Sequence, residues 1–131
     1  MNILTRYLSL DYWKKVQEIA NSDQEFSIKA KMFVASFTFK VTDKSDFPTI
    51  YAKFMNGKIT EIRELCTEEK TDFSLEGSYD IWCKVNKGEI EGGNAIMQRQ
   101  LQFKGNMNNI IRYSKSFLRL FQLMQKVPVE Y

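Results

Sequence analysis

The chain has 131 residues, 44% hydrophobic and 14% aromatic, with ten Phe and a net charge of +3 at neutral pH. That length buries enough surface to fold as one domain spanning 1–131 without disulfides or metals. The charge is too small, and too little clustered, to argue for nucleic acid. Histidine is absent, which excludes Ser-His-Asp and Cys-His mechanisms and every His-ligated metal; no catalytic residue, metal or cofactor is expected.

Asp11 and Lys14 break the first apolar stretch, so no signal peptide is read, and no apolar run reaches the roughly 18 residues of a membrane span. A cytoplasmic protein is expected. Residues 10–20 read as an amphipathic helix: Trp13, Val16, Ile19 and Ala20 recur at helical spacing, with Ser9 as N-cap. Ser22 and Glu25 fit a capping box for a second helix through about Lys31. Residues 33–41 alternate, with Phe33, Ala35, Phe37, Phe39 and Val41 on one face and Ser36, Thr38 and Lys40 on the other, as in a half-buried strand. A second strand over 49–55 points Ile50, Ala52 and Phe54 inward. Asn56-Gly57 is a hairpin turn, since both residues tolerate positive φ. Strands over 58–65 and 71–77 follow, the latter with Phe73 and Leu75 inward, giving a meander antiparallel at its centre.

The period then changes. Residues 78–87 read as a helix with Tyr79, Trp82, Cys83 and Asn86 on one face and Gly88 at its C-terminal cap. Gly92-Gly93 opens a loop, a helical turn forms around 95–97, and a fifth strand spans 100–104, ended by Gly105. A final helix spans about 107–125. Its apolar stripe begins with Met107, Ile110, Ile111 and Ser114 and continues through Phe117, Leu118, Phe121 and Met124, and Leu120 and Leu123 widen it. Arg112, Lys115, Arg119, Gln122 and Lys126 line the opposite face, and Pro128 stops the helix. The fold class is α+β, a mostly antiparallel five-stranded sheet covered on one face by helices.

No nucleotide-binding, zinc or calcium loop motif occurs. Cys66 and Cys83 have neither redox nor zinc spacing, and Cys83 reads as an inert core thiol. Glu61, Glu64, Glu68, Glu69, Asp72 and Glu76 read as solvent-facing carboxylates rather than an acid/base pair.

The stretch Ile96-Met97-Gln98-Arg99-Gln100-Leu101-Gln102-Phe103-Lys104-Gly105-Asn106-Met107 resembles the helical turn and strand-to-helix junction of the sterol carrier protein 2 family. Phe73-Ser74-Leu75-Glu76-Gly77-Ser78-Tyr79-Asp80-Ile81-Trp82, the Lys87-Gly88-Glu89 segment, Asn21-Ser22-Asp23 and the Asn56-Gly57 hairpin are similar to it in the same order. The resemblance implies a tunnel between sheet and helices that takes fatty acyl groups, acyl-CoA or sterols, and no reaction. It sets Gln98 where the family often places a tunnel Gln; the other reading is a surface amide. Arg99 stands where the family commonly has Gly. It either pairs with a ligand carboxylate or snorkels to water.

Phe54, Phe73, Trp82, Met97 and Phe103 are pocket candidates, together with Met107, Ile111, Phe117 and Phe121; for each the other reading is plain core. The leading expectation is a carrier of an apolar small molecule or lipid, loaded by transient contact of the basic helix face with an anionic membrane surface. The last helix, hinged at Gly105, then acts as a movable cover. The alternative is an interaction or dimerisation module with a filled core, associated with a lipid-metabolising enzyme. Monomer and homodimer both fit.

Overall fold

The computed structural model describes residues 4–66 and 69–131, apart from the side chain of Ile110. Glu68 lies outside the described residues. In chain order the elements are β1 (Thr5–Arg6), α1 (Leu10–Ser22), α2 (Gln24–Lys29), β2 (Val34–Val41), β3 (Ile50–Met55), β4 (Lys58–Glu64) and β5 (Phe73–Gly77). There follow α3 (Tyr79–Asn86), α4 (Gly92–Met97), β6 (Gln102–Lys104), α5 (Met107–Arg112), α6 (Ser114–Met124) and β7 (Val129–Glu130).

The alternation in β2 buries Ala35, Phe37, Phe39 and Val41, while Ser36 and Thr38 stay half-buried on the other face. The sheet order is β4-β3-β2-β5-β6. β2–β3, β3–β4 and β5–β6 are antiparallel, and β2–β5 is parallel. This corrects the expected meander, because the chain leaves β4 at one edge and returns as β5 on the far side of β2. The parallel register sets Phe37 beside Phe73 and Phe39 beside Leu75. The Phe37 and Phe73 rings stack with centroids 5.3 Å apart. Pairing that far apart in sequence costs loop-closure entropy, which apolar burial on the shared face offsets.

Ser9 caps α1 by accepting the Tyr12 N–H, as expected. α2 is capped by Asp23, whose carboxylate accepts the Phe26 N–H at 2.7 Å. Ser22 is instead the last residue of α1, so the capping-box reading is off by one position. Ser78, read from the sequence as the first residue of the third helix, is instead its N-cap.

A second, two-stranded sheet joins β1 to β7 in parallel, Thr5 opposite Val129; no strand was expected in either segment. Beside it, the Tyr7 hydroxyl donates to the Trp82 carbonyl at 2.9 Å, and the Tyr12 hydroxyl donates to the Met124 carbonyl at 3.3 Å. These bonds satisfy the polar tips of two buried rings.

The last helix is broken in two at Tyr113, whose backbone (φ −108°, ψ 18°) is not helical. Its ring packs 4.6 Å from Phe33, and its hydroxyl donates to the Met32 carbonyl at 3.3 Å. The apolar stripe divides accordingly. Leu120, Leu123 and Met124 of α6 are buried against the core, each contributing roughly 1.5–3 kcal/mol. Met107, Ile111 and Leu118 are exposed.

Candidate functional site

The loop expected at Gly92-Gly93 is the first turn of α4. Its apposition to α6 is tight: a Cβ on Gly92 would stand 2.6 Å from Cδ2 of Phe121. α4 ends in a Schellman motif, in which the Arg99 N–H donates to the Ile96 carbonyl and the Gln100 N–H to the Ala95 carbonyl. The residue at the left-handed position of this motif is Arg99, with φ +60°. Glycine ordinarily fills that position, and a side chain there costs on the order of 1 kcal/mol. Arg99 therefore lies on a helix cap, and the fifth strand, expected to start at 100, begins only at Gln102.

Between α4, β6, α5 and α6 opens a cleft of about 1020 Å³, at the upper end of the roughly 300–1,000 Å³ typical of small-molecule sites. α4 contributes Ile96 and Met97, and the cap contributes Arg99. Leu101 and Phe103 come from the β6 segment, and Met107 and Ile111 from α5. Ser114, Phe117, Leu118 and Phe121 form the α6 wall. Behind this cleft lies a second space of only about 20 Å³, bounded by Phe37, Phe39, Leu75 and Met124. Ile96, Phe103, Phe117 and Phe121 line both spaces and so form the partition between them. The arrangement is an open cleft with an aromatic floor; the space between sheet and helices beyond that floor is nearly filled.

Of the sequence candidates, the cleft gathers Met97, Arg99, Phe103, Met107, Ile111, Phe117 and Phe121. Gln98 is exposed at the end of α4 and is not among the lining residues. Phe54, Phe73 and Trp82 are core residues that do not reach the cleft. Phe54 packs on Phe26 and Phe37, and Phe73 stacks on Phe37 and packs at a tilt against Phe103. Trp82 meets Trp13 edge-on while its Nε1–H donates to the Lys40 carbonyl. Alternation marks Phe54 and Phe73 as inward-facing and helical spacing does the same for Trp82, and inward-facing is the same signal for core and for cavity wall. Ser114 and Leu118 were part of the stripe, yet were not singled out. Leu101 was read only as part of the fifth strand.

The cleft holds few polar groups. Glu91 stands beside α4, and Lys104 is paired with Glu76 at 3.0 Å. Among the described residues, no ion pair engages Arg99. The expected basic face of the last helix is incomplete, because Arg119 is turned to α2 and paired with Asp23 at 2.8 Å and Glu25 at 3.2 Å. Hydrogen bonding from that guanidinium holds the Asp23 carboxyl down at about 2. Burial pushes Tyr79 up to about 12 and raises the Tyr7 and Tyr12 phenols and the Cys83 thiol. These groups lie outside the cleft walls.

A sequence model described as the SCP-2 sterol transfer family matches residues 15–117. No curated protein matches the chain significantly. Among solved structures, a crystal structure of sterol carrier protein 2 is similar with a TM-score of 0.85 at 16% identity, covering 93% of this chain and 99% of that one. A possible sterol carrier protein from Thermus thermophilus is similar with a TM-score of 0.78 at 17% identity, covering 99% of this chain and 97% of that one. Sterol carrier protein 2 from Yarrowia lipolytica, in its apo form, gives 0.56 at 14% identity, covering 89% of each. At these identities the likeness is one of fold.

Proposed function

This chain belongs to the SCP-2 sterol transfer family, and from that premise we propose that it holds an apolar ligand with an anionic head in the cleft between α4, β6, α5 and α6, without transforming it. Family membership supports lipid binding or transfer in general. The observation that carries the finer reading is a large cleft with aliphatic and aromatic walls and, at its mouth, an arginine that forms no ion pair among the described residues. Phe103, Phe117 and Phe121 form the floor for the chain of the ligand. Met97, Met107 and Ile111 close over it, and Met side chains adapt to varied apolar shapes. Arg99 meets the head, because a charge-assisted hydrogen bond in a partly desolvated site is stronger than a neutral one. A left-handed arginine where glycine is less costly fits the view that strain collects at functional sites.

The test is uptake of a fluorescent fatty acid in solution, without vesicles, by a monodisperse preparation. Saturable binding at one probe per chain is expected. No uptake at protein concentrations well above the micromolar range would defeat the reading. In that case a concentration-dependent dimer burying Met97, Met107 and Ile111 would replace it.

A further inference from the structure

We propose that the outer edge of β6 accepts an extended peptide strand ending in a free carboxylate, laid along the cleft in place of the lipid. This goes beyond the ligand reading above and does not depend on it. The first observation is a difference between the two edges of the sheet. The β4 edge is closed by side chains of α1. Asn21 Oδ1 accepts the Ile59 N–H at 2.7 Å, while Asn21 Nδ2 and Gln17 Nε2 donate to the Ile59 carbonyl at 3.0 and 2.8 Å. Those two side chains stand in for a neighbouring strand and so protect the edge. β6 has no such cover. The backbone of Gln102, Phe103 and Lys104 pairs with β5, and among the described residues neither backbone nor side chain supplies it any other hydrogen bond.

The second observation is where this open edge runs. Leu101, Gln102, Phe103 and Lys104 all line the cleft. Successive strand side chains point to opposite faces, so a face would offer alternate residues; four in succession mark the strand edge as the wall. A row of free N–H and C=O groups at the strand repeat is matched by a polypeptide backbone, and a lipid tail matches none of it. In strand addition the main-chain bonds give affinity, and pockets for alternate side chains give specificity. Here the pocket is the aromatic floor. A residue set opposite Phe103 shares its face and meets Phe117, whose ring centroid is 6.4 Å from that of Phe103. Residues opposite Gln102 and Lys104 share the exposed face of those two.

The third observation is charge. Residues 92–128 contain six Lys and Arg and no Asp or Glu. Arg99 stands three residues before β6, is exposed and lines the cleft, and among the described residues it forms no ion pair. A strand added antiparallel to β6 runs toward Arg99 and delivers its C-terminal carboxylate there. A parallel strand would bring its N-terminal amine to the same cation. The edge therefore favours an antiparallel peptide, apolar opposite Phe103, whose terminal carboxylate takes a charge-assisted hydrogen bond from Arg99.

The experiment is fluorescence anisotropy with the peptide Ser-Thr-Glu-Phe-Thr-Leu, labelled at its N-terminus and free at its C-terminus. Its Phe is set opposite Phe103 and its last residue opposite Leu101. Saturable binding at one peptide per chain is expected. The C-terminal amide should bind about tenfold more weakly. Arg99→Ala should erase that difference by lowering the acid to the level of the amide. Arg112→Ala removes the same charge from an exposed position outside the cleft lining and should stay within about twofold of the parent at physiological salt. N-methylation of the Phe amide, or of the Glu and second Thr amides, blocks main-chain bonding on opposite sides of the peptide. One of these two peptides should lose about tenfold or more in affinity while the other keeps it. No binding at about 1 mM peptide, equal binding of acid and amide, or equal binding of the two methylated peptides would overturn the proposal. So would a stable dimer that excludes the peptide, which would assign the edge to a second copy. Where fatty acid also binds, the peptide should displace it, and simultaneous binding overturns the shared cleft. Fatty-acid uptake without peptide binding overturns the peptide strand alone. Peptide binding without uptake overturns the ligand reading alone.

Discussion

Arg119 and Asp23, 96 residues apart in sequence, meet in a two-pronged ion pair: Nη2 lies 2.8 Å from Oδ1 and Nε 3.0 Å from Oδ2. The same Asp23 carboxylate caps α2. One side chain thus starts a helix and fastens α6 across it, and only 16% of either side chain is exposed. The pair anchors the part of the C-terminal segment that sequence reasoning expected to move.

The pair sets an acid limit on stability. The Asp23 carboxyl is depressed to about 2, against roughly 3.9 in an unfolded chain. A depressed carboxyl contributes stability that is full above the unfolded value and is lost as pH falls from about 4 toward 2. Asp23→Asn keeps a competent cap and removes the charge. It should cost about 1–2 kcal/mol at pH 7 and nearly nothing at pH 2. Urea unfolding at both pH values reads the difference; an equal cost at both would show that the pair contributes no charge-dependent stability.

Arg99 separates backbone strain from ligand chemistry. Arg99→Gly relieves the left-handed backbone and should stabilise the fold by about 1 kcal/mol. Arg99→Ala keeps the strain and should leave the melting temperature unchanged. Both should weaken binding of a fatty acid while sparing the matching fatty alcohol. Calorimetry with the two ligands checks this, and equal loss for acid and alcohol would remove Arg99 from head recognition.

Phe117 belongs to the partition between the cleft and the small space behind it. Phe117→Ala should join the two and shift preference toward longer or bulkier acyl chains. It should also destabilise the fold by about 2–3 kcal/mol, somewhat less than a fully buried Phe→Ala change, because Phe117 is only half-buried. A chain-length series measured on both proteins gives the answer, and an unchanged profile would mean that the floor does not limit the ligand.

Motion should be confined to α5. Gly105 before it has φ +142°, and among the described residues α5 forms no ion pair. α6 is held by the Arg119 pair and by the Ser116 hydroxyl donating to the Lys29 carbonyl at 2.9 Å. Hydrogen exchange at 107–112 should slow when fatty acid is added, while 116–124 stays equally protected. Ligand-induced slowing across both helices would restore the whole helix as the moving part.

Much of this architecture is legible locally. The alternation from Phe33 to Val41, the Asn56-Gly57 turn and the cap at Ser9 each follow from residues a few positions apart. The parallel pairing of Phe37 with Phe73 is not legible, because strand register across 36 residues leaves no local signal. The break at Tyr113 was missed for a related reason: no Pro or Gly marks it, and its ring is engaged by Phe33. Within the site, the width of the last apolar stripe did carry information. It exceeded one docking face because Leu120, Leu123 and Met124 serve the core while Met107, Ile111 and Leu118 serve the cleft. Phe54, Phe73 and Trp82 had no such excess to distinguish them from wall residues.

The missing side chain of Gly92 sets a dimension of the molecule. The Phe121 ring stands within 2.6 Å of where a Cβ of residue 92 would be, and it borders both the open cleft and the small space behind it. One methyl group at position 92 would have to displace that ring, and so move the boundary that the two volumes share. The capacity of the cleft can therefore be retuned from a position that never touches its contents.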